Sequence, residues 1–139
     1  MSVRTTILDC EAVDVLRDPY SSKHPKVLRQ IQAAINRKAR GNVIEIKVPT
    51  AIRVEAGWDR QRPDQAMINR FPAQDVALDA LTTDIAARLH RDLSVSVADA
   101  HLGAAIATST GPITVLTSDI EDLTKMTNHL NTPITISQL

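Results

Sequence analysis

The chain has 139 residues, of which 43% are hydrophobic and 23% charged, with only four Gly and seven Pro. That balance describes an ordinary globular domain and excludes intrinsic disorder and fibrous structure. The longest apolar runs, such as the one around Ala104 to Ala107, break well before the roughly 18 residues a spanning helix needs, so no membrane segment is predicted. Asp9 and Glu11 interrupt any signal-like stretch near the start, and the lone Cys10 has no internal disulfide partner, so a cytoplasmic protein is expected.

Only three aromatic residues are present, Tyr20, Trp58 and Phe71, which leaves little on which nucleobases could stack. The 16 basic and 16 acidic side chains cancel, but they are segregated along the chain. Residues 1–22 carry a net −2, residues 23–70 a net +7 and residues 71–139 a net −5. A positive surface suited to phosphate, set beside a group of acids, is one reading of this pattern. A solvated helix face with a basic loop is the other.

In chain order, Thr5 to Leu8 is a β-branched run that predicts a strand. Asp9 follows it as the N-cap of a helix whose apolar positions are Ala12, Val13 and Leu16. Val27, Leu28, Ile31, Ala34 and Ile35 repeat at helical spacing, with Gly41 as the stop signal. Val43 to Val48 predicts a second strand, and Pro49 the start of a helix running to about Trp58. Asp59 to Gln74 reads as a basic connection holding at most a short helix near Gln65 to Asn69.

Further along, Val76 to Leu78 predicts a brief third strand, and Leu81, Ile85 and Leu89 the stripe of the next helix. Ser96 and Asp99 match a capping box opening a helix rich in Ala and Gly. Ile113 to Leu116 is the fourth predicted strand. Ser118 with Glu121 repeats the capping pattern for a helix ending near Met126, and Ile134 to Ile136 is the last strand. Strands alternating with helices predict an α/β fold with a mainly parallel sheet covered on both faces, and residues 1–139 are expected to form one domain.

This pattern places Asp9, Asp99 and Asp119 at the carboxyl edge of the sheet, where open α/β sheets bind ligands. Glu55 reaches the same edge if its helix leans inward. Each acid also has a plain structural role as a cap, a charge near a helix N-terminus or an exposed helix residue. Four carboxylates in one pocket would repel, by roughly 3 kcal/mol for a pair about 5 Å apart at an effective dielectric near 20. A hard divalent cation, Mg²⁺ or Mn²⁺, is the usual compensation, and phosphodiester cleavage is the chemistry such a pocket serves best.

The stretches ILDCEAV with Asp9, VPTAIRVEAGW with Glu55, SVADAHLGAAIAT with Asp99 and VLTSDIEDL with Asp119 resemble the PIN domain over nearly the whole chain. The likeness is to the small VapC-like toxins of bacterial toxin-antitoxin modules. It implies a three-layer α/β/α fold of about five strands in the order 3-2-1-4-5. It further implies a Mg²⁺- or Mn²⁺-dependent endoribonuclease acting on RNA of the tRNA or rRNA class, a cognate antitoxin partner and a homodimer. Asp9, Glu55, Asp99 and Asp119 would be the metal-binding and catalytic acids, Thr117 a polar neighbour of the metal, and Asp122 an acid of lesser role.

Arg53, Arg60, Arg62 and Arg70, from the positive middle segment, are the expected RNA-backbone contacts. The rival from another class is a degenerate PIN domain that only binds protein or RNA. A phosphatase using Asp9 as nucleophile is the rival among enzymes, and it lacks a placeable partner motif. His24, His90, His101 and His129 show no paired ligand spacing, Cys10 has no His partner in sequence, and no phosphate-cradling Gly-rich loop exists.

Overall fold

The computed structural model of the chain describes residues 3–41 and 43–139. The first β-branched run is β1 (Val3–Leu8), and Asp9 caps α1 (Cys10–Arg17) by accepting the Ala12 amide at 2.9 Å. Val27, Ile31 and Ala34 form the buried stripe of α2 (His24–Ala39), while Leu28 stays partly exposed. In β2 (Val43–Pro49) Ile44, Ile46 and Val48 alternate inward. Val43 falls on the opposite face with Glu45 and Lys47 and is exposed.

Pro49 ends β2 rather than starting a helix. α3 (Thr50–Ala56) is shorter than expected because Gly57, at φ +70°, closes it in the left-handed region that glycine adopts without strain. The basic connection folds as two 3₁₀ turns, Pro63–Gln65 and Ile68–Arg70.

The third strand, β3 (Gln74–Val76), lies two residues earlier than predicted. As an edge strand it pairs only with Lys47 to Pro49, so polar Gln74 and Asp75 suit it, and Ala77 and Leu78 belong to the turn before the Asp79 cap of α4 (Ala80–Leu93). The buried stripe of α4 is Thr82, Ala86 and Leu89, and Leu81 is exposed. Thr82 belongs to the stripe because its hydroxyl bonds back to the Ala77 carbonyl, and Leu89 packs against Gly103 of α5 (Val97–Thr108).

β4 (Ile113–Thr117) leads to α6 (Ile120–Leu130). Here the N-cap is Asp119, which accepts the Asp122 amide, and not Ser118, whose hydroxyl is turned to the Glu11 carboxylate. Leu130 extends the Leu123 and Met126 stripe, so the helix runs four residues past Met126 and ends at Asn131 in the left-handed region. β5 (Thr135–Gln138) completes the sheet.

All four strand pairings are parallel, in the order β3-β2-β1-β4-β5. From central β1 the chain winds first toward β2 and later toward β4. Right-handed crossovers therefore put α1 and α2 on one face and α4, α5 and α6 on the other. α3 touches both α1 and α5, and the winding reverses between the carboxyl ends of β1 and β4. Ile7, Leu8, Val48, Val115 and Leu116 form the buried centre of the sheet. Among the described residues no helix is long and apolar enough to cross a membrane.

Candidate functional site

The reversal of winding opens a crevice at the carboxyl ends of β1 and β4, and the acids gather there. Asp9 follows β1 directly and is only 7% exposed. Burial raises its pKa to about 6, against the opposing pull of hydrogen bonds from the Thr117 side chain and the Ala12 amide. The charges of Glu11 and Asp99 push it further up. Thr117, the last residue of β4, is buried and accepts the Asp119 amide at 3.0 Å. One hydroxyl thus ties the carboxylate after β1 to the turn after β4.

Asp99 stands in the first turn of α5, its amide held by the Ser96 hydroxyl at 3.1 Å. Its pKa is raised chiefly by burial, with the charges of Asp119, Glu55 and Asp122 adding to the effect. Carboxylate oxygens of Asp99, Asp119 and Asp122 all lie within 4.8 Å of one another. Asp122, given a lesser part on sequence, is therefore a full member of the cluster. Its signal was its position three residues after a helix cap, which brings both side chains to the same turn.

Asp9 and Glu55 stand outside that tight trio. Glu55 is exposed on the last turn of α3, yet its charge is felt at both Asp99 and Cys10. Its helix is held in place by His101, a fully buried residue of α5 whose Nδ1 accepts the Ala51 amide at 3.2 Å. Burial lowers the His101 pKa, so the ring is neutral at physiological pH and carries its proton on Nε2. A second fastening comes from Arg17, which donates to the Ala56 carbonyl at the end of α3.

Glu11, which no local sequence pattern marks as part of the site, borders it. It takes hydrogen bonds from the Ser118 hydroxyl and from Lys23 Nζ at 2.5 Å. Nothing in local sequence links these three, which come together only through the fold. Cys10, beside Asp9, hydrogen-bonds Asp14, and burial with the surrounding carboxylates pushes its thiol up to about 12. It is not a nucleophile at neutral pH.

The arginines of α3 and of the basic connection are largely engaged within the protein. Arg53 and Arg60 both pair with Asp75, at 2.8 and 2.9 Å, and both guanidinium groups stack on Trp58. Trp58 is itself buried and donates to Asn69. Arg62 pairs with Asp64 at 2.9 Å, and Arg70 is exposed.

No family profile and no curated protein matches the sequence. Among solved structures, a chain in the crystal structure of VapBC2 from Rickettsia felis bound to a DNA fragment from their promoter superimposes with a TM-score of 0.62. The superposition covers 97% of this chain and 98% of that one, at 13% sequence identity. The fold is PIN-like. At that identity the likeness is one of backbone architecture, and the chemistry must be argued from the crevice itself.

Proposed function

We propose that this chain is a Mg²⁺- or Mn²⁺-dependent endoribonuclease, the toxin of a cytoplasmic toxin-antitoxin pair, with residues 1–139 acting as one domain. The observation that carries the reading is the trio Asp99, Asp119 and Asp122, with oxygens within 4.8 Å of one another at the sheet's reversal point and the buried Asp9 beside it. The trio and Asp9 offer carboxylate oxygens, with the Thr117 hydroxyl beside them, the ligand set of a hard divalent cation. Burial, and after it the neighbouring carboxylates, raises the pKa of both Asp9 and Asp99, and a bound cation offsets either cause by stabilising the ionised forms.

Asp9, Glu55, Asp99 and Asp119 would hold the metal, joined by Asp122, with Thr117 orienting Asp9. When bound, the cation supplies a lowered pKa for water and screens the negative charge that builds on phosphorus. The residues themselves fix the geometry: the caps on Asp9 and Asp119 lock both rotamers, and His101 keeps α3, hence Glu55, facing α5. An acidic crevice of this kind also attracts a cationic side chain, which is the chemistry expected of a silencing antitoxin. A homodimer belongs to the same reading.

The deciding experiment is incubation of the purified chain with tRNA and rRNA, with and without EDTA, beside Asp99→Asn. Cleavage that needs the metal and falls at least about 100-fold in the variant is expected. Cleavage indifferent to EDTA, or unchanged in Asp99→Asn, overturns the reading.

A further inference from the structure

The acids of the crevice repel RNA, so ground-state affinity must come from cations elsewhere, and the expected ones, Arg53, Arg60 and Arg62, are already paired with carboxylates. The α2 helix is different: it carries four basic residues and no acidic one. Lys23, Lys26, Gln30 and Arg37 recur at spacings of three, four and seven, which puts them on one face. Among the described residues Arg4 and Lys26 make no ion pair.

That face of α2 borders a part of the sheet left uncovered. Because α6 crosses on the opposite face, the α2 side of β4 and β5 is roofed by no helix of their own, and a trough of about 160 Å³ runs there. Its floor is a row of threonines in register across three strands, Thr6 opposite Thr114 and Thr114 opposite Thr135. Neighbouring hydroxyls are therefore about 5 Å apart, and among the described residues none of the three has a hydrogen-bond partner. Arg4, Gln30 and Arg37 form the rim, and no acidic residue lines the trough. The same face of α2 that supplies Gln30 and Arg37 to the rim runs back to Lys23, which bonds Glu11 as Ser118 does, so the basic face joins the trough to the residues bordering the acidic crevice.

We propose that this trough carries a single strand of RNA to the crevice, with Arg4 and Lys26 taking backbone phosphates and the threonine row bonding phosphate or ribose oxygens. The inference rests on the ribonuclease reading and names the path its substrate takes. A polyanion is the complement of a surface with cations, free hydroxyls and no acids. The width of three strands suits one chain and not a duplex.

The test is fluorescence anisotropy of a labelled 12-nucleotide single-stranded RNA in EDTA, so that no bond is cut. The double variant Arg4→Gln/Lys26→Gln should weaken binding about 10-fold and lower the log-log salt slope by about 1.4, the value for two lost contacts to a single strand. Thr114→Val keeps the β-branched shape of the strand and should weaken binding with no change in slope. Unchanged affinity and slope in the double variant overturn the trough, as does displacement of the RNA by polyglutamate at equal concentration, which would mark a surface for an acidic protein instead. A Mn²⁺ thermal shift measured in the same variants separates the two readings. Loss of RNA binding with the metal shift intact supports the trough, whereas RNA binding through the trough in a chain that neither binds metal nor cleaves would sink the nuclease alone.

Discussion

The carboxylate of Asp9 is hydrogen-bonded by the side chain of Thr117 and almost sealed from solvent, and still its pKa is raised to about 6. Desolvation outweighs both hydrogen bonds. Since the folded chain binds this proton more tightly than the unfolded one, the contribution of Asp9 to stability is fully present below about pH 4 and is lost as pH rises through about 6. The loss is about 3 kcal/mol for a shift of this size. Asp9→Asn keeps an oxygen for the Ala12 amide and carries no charge, so in EDTA the variant should be more stable than the parent near pH 8 and lose that advantage near pH 4. Urea midpoints at the two pH values check it. A variant less stable than the parent at both would mean that the ionised carboxylate is favourably solvated where it sits.

Metal binding should reverse the same imbalance. At neutral pH, Mn²⁺ at about 100 times its dissociation constant adds roughly 2.7 kcal/mol to the folded state, or several degrees in Tm for a chain of this length. Protons compete at Asp9, whose pKa is raised to about 6, and at Asp99, whose pKa is also raised by burial, so the gain should shrink as pH falls through the Asp9 value. Thermal scans with and without Mn²⁺ measure it. An equal shift in Asp119→Asn would remove the carboxylate trio from the metal site.

Arg60 should matter for folding far more than for RNA. Its guanidinium lies 4.3 Å from the centre of the Trp58 ring, donates to the Ala73 carbonyl and pairs with Asp75, joining the connection after α3 to the edge strand. Arg60→Gln loses the stacking and the charge-assisted bonds together, a destabilisation of about 1–3 kcal/mol. Its RNA affinity should stay within about 2-fold of the parent. A large fall in affinity at unchanged stability would restore Arg60 to the substrate path that its sequence context suggests.

The contrast between Asp9 and Arg60 shows where legibility ends. Asp9 could be placed at the sheet edge from its neighbours alone, because a β-branched run followed by a capping residue is a local pattern, and Ser96 with Asp99 is another. The parallel sheet followed from the alternation of such units. Arg60 gave no such signal, since its partner Asp75 lies 15 residues away on an edge strand whose true register is two residues from the apolar run that predicted it. The join of Glu11 to Lys23 and Ser118 was invisible for the same reason. Ser118 satisfies the local rule for the cap of α6 as well as Asp119 does, and only the bond of its hydroxyl to Glu11 decides between them.

The position of Asp99 depends on how closely three helices meet behind it, and Gly103 governs that approach. A Cβ at Gly103 would lie 2.5 Å from Leu89 Cδ1 on α4 and 3.0 Å from Met126 Sδ on α6. Both of those side chains are fully buried and have little room to retreat. Gly103→Ala gains helix propensity of about 1 kcal/mol but overpacks the junction by about 1–3 kcal/mol, so net destabilisation is expected. Because Asp99 stands one turn earlier on the same helix, displacement of α5 should also weaken Mn²⁺ binding. Leu89→Ala alone opens a cavity costing about 2–5 kcal/mol, but combined with Gly103→Ala it gives the new methyl the space it lacks. The double variant should therefore be less destabilised than the sum of the singles, by at least about 0.5 kcal/mol, with part of the metal affinity recovered. Urea unfolding of the four proteins in the cycle decides the matter: strict additivity would mean that α5 accommodates the methyl by moving away from some neighbour other than Leu89.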